Sequence, residues 1–178
     1  MEGTTSACLC IWGRFSLFHR ELSAIAPVAA VDRFEDVLMR ARIDVITLAV
    51  ADFERALAFY RALGLQSAGV TATEFTGDDT HPAGAIVMFH LDGGQILALY
   101  PRSELAKDAG ISPGPARSGE FSLGHIVETR QEVDALLAKA EAAGALVTEL
   151  HDRPWGIYSG YFRDPDGHLW EIIHNPNA

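Results

Sequence analysis

Ile43-Asp44-Val45-Ile46-Thr47-Leu48-Ala49-Val50-Ala51-Asp52-Phe53-Glu54-Arg55-Ala56-Leu57-Ala58-Phe59-Tyr60-Arg61-Ala62-Leu63-Gly64 changes its period at Asp52. Residues 43–50 are β-branched and apolar, which reads as a strand. Asp52 is a residue type that caps helix N-termini, and Phe53, Ala56, Leu57 and Tyr60 then recur at helical spacing on one face. Gly64 ends the helix expected over residues 53–63, because glycine enters the left-handed conformation without steric cost. Three more strands are expected at 66–73, 85–91 and 95–100, with Asp92-Gly93-Gly94 as a tight turn between the last two. Together these make one βαβββ unit.

The same order returns further along. Residues 121–129 read as a strand, and 131–143 as a helix with Val133, Leu136, Leu137 and Ala140 on one face. Gly144 closes that helix. Strands at 146–150, 157–163 and 168–174 follow, the last two joined by Asp164-Pro165-Asp166-Gly167. Gly64 and Gly144 stand 80 residues apart, as do Val45 and His125; Gly94 and Gly167 stand 73 apart, as do Ala98 and Glu171. The surplus in the first half falls in a polar loop, residues 74–83, which holds Gly77 and Pro82. A unit used twice implies an α+β fold: two tandem βαβββ modules forming a cupped, barrel-like mixed sheet with helices outside. The expected organisation is a single domain over 41–177, with modules 41–102 and 120–175 joined by a linker at 103–119. Pro113 and Pro115 mark that linker, and residues 103–109 are its one helical stretch. Each module has an open sheet face that the other module or a second chain must cover.

Residues 1–40 read differently. Their apolar stretch, 7–18, is interrupted by Arg14 and has no basic region before it, so it fits a secretory signal poorly. Arg14, His19 and Arg20 give it an amphipathic cast that Glu2 and Glu21 weaken. The expectation is a poorly ordered extension, or a start assigned too early, with Met39 as the first residue. The formal charge of −10 and the lack of Lys/Arg clusters exclude a nucleic-acid partner on electrostatic grounds. The two cysteines, Cys8 and Cys10, are too close together to staple a fold, and their sparing use agrees with a cytoplasmic location. No apolar run reaches the roughly 18–20 residues of a membrane span.

Three segments, in order, resemble the vicinal-oxygen-chelate superfamily of glyoxalases, bleomycin-resistance proteins and extradiol dioxygenases. They are the stretch from Val50 to Tyr60 quoted above; Gly124-His125-Ile126-Val127; and Tyr161-Phe162-Arg163-Asp164-Pro165-Asp166-Gly167-His168-Leu169-Trp170-Glu171. The resemblance runs from about Arg42 to Pro176 and implies a pocket in the cupped sheet. It also implies a metal held by the first and last strands of each module, at positions occupied here by Val45, Ala98, His125 and Glu171. Only His125 and Glu171 can ligate. Two donors are few, since catalytic zinc keeps three protein ligands and non-haem iron two His and a carboxylate. His90 is the one further candidate.

Two uses of the pair stay open. One is a single divalent metal (Zn, Ni, Mn or Fe) in a lyase, isomerase or dioxygenase. The other is metal-free: binding of a small apolar or aromatic molecule, or a His125–Glu171 acid–base couple. Phe89, Tyr100, Arg153, Trp155 and Tyr158 are the expected ligand-binding side chains, with Trp170 and Phe162 assigned to the core. A homodimer is the expected partner state, and neither a nucleic acid nor a membrane is expected as partner. Intact mass of the protein from its native host separates the two readings of residues 1–40: a chain beginning at Met39 marks a start assigned too early, and a mass that includes residues 1–38 marks an extension.

Overall fold

The computed structural model describes residues 39–115 and 118–177, so the expectations for residues 1–38 lie outside it. Residues Ala41–Ala178 form one compact unit. Strand β1 (Val45–Val50) leads into helix α1 (Phe53–Ala62), whose N-cap Asp52 accepts from Arg55 N at 3.0 Å. Ala56, Leu57, Phe59 and Tyr60 form its buried face. Strands β2 (Val70–Thr71), β3 (Ile86–His90) and β4 (Ile96–Pro101) complete the first module. Helix α2 (Arg102–Ala109) begins the connection to the second. The second module runs β5 (Leu123–Val127), α3 (Arg130–Ala142), β6 (Leu146–Val147), β7 (His151–Asp152), β8 (Tyr158–Arg163) and β9 (Leu169–His174). Thr129 and Glu132 form a reciprocal capping box at the start of α3.

Two expected strands are shorter than their composition implies. Of residues 66–73, only Val70 and Thr71 pair, because Ser67 and Gly69 make a local turn and Ala72 adopts φ +55°. The expected strand at 146–150 divides into β6 and β7. At the break, Thr148 N donates to Tyr161 O at 2.9 Å while the Thr148 hydroxyl accepts from Tyr161 N at 3.1 Å. The side chain thus takes a ladder place that backbone would otherwise fill.

Each module builds its own mixed sheet, ordered β1-β4-β3-β2 and β5-β9-β8-β6, with β7 on β8. β1 runs parallel to β4 and β5 parallel to β9; the other pairs are antiparallel. The sheets are curved with helices packed on them, as the repeat implied, but they do not close into a barrel. The surplus loop of the first half docks on α2: Ala83 N donates to Glu104 at 2.7 Å and Lys107 Nζ to Asp78 O at 2.7 Å.

The modules share one core, centred on Phe59, Tyr60, Phe89, Phe162 and Trp170. The turn Asp164-Pro165-Asp166-Gly167 fastens it. Asp164 Oδ2 accepts from the Tyr60 hydroxyl at 2.6 Å and bonds His168 Nδ1 at 2.8 Å, while Oδ1 accepts from the backbone N–H of Asp166 and His168. Trp170 Nε1 donates to the same Tyr60 oxygen at 3.2 Å. Two residues on, Asp166 Oδ1 accepts from Ala51 N at 2.8 Å and from Arg55 at 2.9 Å, at the start of α1. Both carboxylates are buried, so these bonds carry weight that surface pairs lack.

Burial works against ionisation of Asp164, but the bonds from His168 and Tyr60 outweigh it and hold the carboxyl below its ordinary range. Burial, then the Asp164 charge, pushes the Tyr60 hydroxyl well above its usual value. A depressed carboxylate stabilises the fold above the unfolded aspartate pKa of about 3.9 and loses that contribution as pH falls further. A raised phenol contributes below about pH 10 and loses its contribution above. Tyr60→Phe is expected to cost about 1.5–3 kcal/mol in urea unfolding and to flatten the loss of stability above pH 10. An unchanged midpoint would show that the clasp does not join the modules.

Candidate functional site

A cavity of about 620 Å³ lies where the modules meet rather than on an open sheet face. Its floor is Phe162 and Trp170, cross-strand partners on β8 and β9 whose rings stack at 6.0 Å and 5°. Tyr60, Leu136 and Ile172 form the apolar walls. Leu63, Gly64, Leu65 and Gln66 bring the C-terminal end of α1 to one side. The polar groups are Gln66, His90, Asp92 and His125. A smaller hollow of about 300 Å³, lined by Ser67, Thr71 and Met88 among others, shares Gln66 and His90 with it.

His125 and Glu171 do not meet. In the first module Val45 pairs with Ile96; a residue-for-residue repeat, 73 on from Ile96, would pair His125 with Leu169. Instead His125 pairs with Ile172, three residues further, while Glu171 pairs with Gly124. An odd shift reverses the face. His125 therefore shares its side with Leu123, Val127 and Ile172, which pack on the core, and looks into the junction cavity. Glu171 looks the other way, beside Tyr161, its partner on β8; burial first, then the neighbouring Glu171 carboxylate, raises the Tyr161 hydroxyl. The cause is visible in β5: Leu123 and Val127 are apolar on one face and Ile126 on the other, so alternation specifies its register weakly.

Val45 and Ala98 lie on the open face of the first module; Val45 is half exposed, and Ala98 is buried between Thr47 and Met88. Phe89 is wholly buried in the core, 5.7 Å from the Tyr60 ring. The Tyr100 hydroxyl donates to Ala83 O. Arg153 Nε donates to Ser159 Oγ at 3.2 Å, on the side of Glu171 and Tyr161. Trp155 is 81% exposed at φ +65°. Tyr158 donates to Asp134 at 2.8 Å beneath the Arg130 guanidinium. The structure thus gathers Arg153, Tyr161 and Glu171 on one face and parts them from His125, Phe89 and Tyr158. The sequence reading missed Tyr60, Leu136 and Asp92 as cavity residues, and it counted Phe162 and Trp170 as core alone. In the structure these two are both core and cavity floor.

The donor set does not fit a shared metal. Among the described residues no three His, Cys, Asp or Glu side chains converge, and His125 and Glu171 point to opposite faces. Among the described residues, too, no helix is long and apolar enough to cross a membrane.

A family profile described as Glyoxalase/Bleomycin resistance protein/Dioxygenase superfamily matches residues 42–172, and the chain belongs to that superfamily. Solved structures agree. A glyoxalase-related enzyme from Fulvimarina pelagi is 29% identical, with TM-score 0.62 over 77% of this chain and 90% of that one. Lactoylglutathione lyase from Agrobacterium tumefaciens is 25% identical, with TM-score 0.52 over 78% and 96%. The fosfomycin resistance protein FosX from Listeria monocytogenes, 19% identical with TM-score 0.56 over 77% and 95%, shares the fold. No curated protein matches the sequence significantly.

A metal bound jointly by His125 and Glu171 at a hundred times its dissociation constant would stabilise the fold by about 2.7 kcal/mol. Melting curves with Zn, Ni, Mn or Fe are expected to show no such gain. A rise of several degrees that disappears in both His125→Ala and Glu171→Ala would overturn the placement of the two residues.

Proposed function

We propose that this chain binds a small, flat, apolar or aromatic molecule in the junction cavity, without a metal. The observation that carries this reading is the cavity itself: a stacked aromatic floor, aliphatic walls and polar groups gathered among its lining. That is the usual composition of a site that buries an apolar body and orients it by a few hydrogen bonds, and its volume lies in the usual range of roughly 300–1,000 Å³. The likeness to a lactoylglutathione lyase names a catalytic alternative. Placement of His125 and Glu171 on opposite faces supports neither a shared metal nor an acid–base couple.

A homodimer belongs to the same reading. β1 and β5 are each an edge strand of their sheet, with one edge unpaired among the described residues. Ile43, Val45, Phe121 and Ile126, on or beside them, are all half exposed or more. A second copy would cover these strands.

Calorimetric titration with 2-naphthalenemethanol is expected to give saturable binding with one site per chain. Leu136→Arg, which projects a charge into the cavity, should weaken it by about tenfold or more. Absence of saturable binding, or equal affinity in the variant, would refute the proposal.

A further inference from the structure

We infer that the junction cavity selects organic cations: an ammonium group carried on an apolar or aromatic body. The inference rests on the binding function proposed above and specifies its ligand class. Three independent features of the cavity favour positive charge. Among the described residues Asp92 is the one lining group with a fixed charge, and it stands exposed in the β3–β4 turn. The second feature is α1, whose C-terminal end borders the cavity through Leu63 and Gly64. The aligned peptide dipoles of a helix present partial negative charge there. The basic residue of that last turn, Arg61, is drawn aside by its bond to Ser67 O at 2.8 Å. Third, Trp170, only partly buried on β9, lines the cavity, and an indole ring attracts cations through its quadrupole.

The remaining polar groups do not oppose a cation. His90 and His125 each offer a ring nitrogen as acceptor when neutral, and Gln66 offers a carbonyl. A carboxylate ligand would meet Asp92 and the helix end, both repulsive. The formal charge of −10 acts in the same direction at long range, drawing cations toward the protein and raising their encounter rate.

The test compares three probes of one shape at pH 8 and low salt: 2-naphthylmethylamine, 2-naphthalenemethanol and 2-naphthoate. The amine is expected to bind more tightly than the carboxylate by about tenfold or more, with the alcohol between them. Asp92→Asn should lower amine affinity about fivefold relative to the alcohol, and Asp92→Glu should restore most of the difference. Raising salt should weaken the amine selectively. Equal binding of amine and carboxylate would overturn the inference, as would an amine preference that is undiminished in Asp92→Asn. If none of the three probes binds, the binding function itself fails and this inference falls with it.

Discussion

The carboxylates of Asp164 and Asp166 join the two halves of this protein. Each is buried, and each reaches from the β8–β9 turn of the second module to α1 of the first. Removing a charge from water is costly unless hydrogen bonds replace its hydration, and here they do on three of four oxygens. Asp166 Oδ2 is the exception, buried without a partner among the described residues. Because Tyr60 bonds Asp164 and also walls the junction cavity, the clasp and the cavity share a residue. The distance between the modules, and so the shape of the cavity, is set by this turn.

Much of the fold was legible because its signals are local. The Asp52 cap, the helical spacing of Phe53, Ala56, Leu57 and Tyr60, and the glycines at 64 and 144 are each decided within a few residues of chain. The repeat then supplied the architecture. Strand extents were less legible where polar side chains compete with backbone pairing, as Ser67 does before β2 and Thr148 does between β6 and β7. The joining role of Asp164 and Asp166 was not legible, since a turn of this composition looks the same whether or not its carboxylates reach another module.

The site was less legible than the fold, for a physical reason. Overlaying the halves matches His125 with Val45 and Glu171 with Ala98, which places the two donors in one cup. Pairing between strands is not encoded by spacing along the chain. It depends on which face of β5 buries better, and Leu123, Ile126 and Val127 leave that choice to tertiary packing. Phe162 and Trp170 were recognised as apolar and therefore assigned to the core. Their second role, as a cavity floor, arises from what the facing module leaves uncovered.

The odd shift between β5 and β9 also bears on how such a protein can change over time. Two metal ligands are bound to one another's fate, since loss of either removes the value of the other. With a strand turned over between them, His125 and Glu171 answer to separate surroundings: one to the junction cavity, the other to Tyr161. Each is free to be replaced without a matching change in the other. An odd shift of backbone pairing therefore uncouples two donors that spacing along the chain would place together.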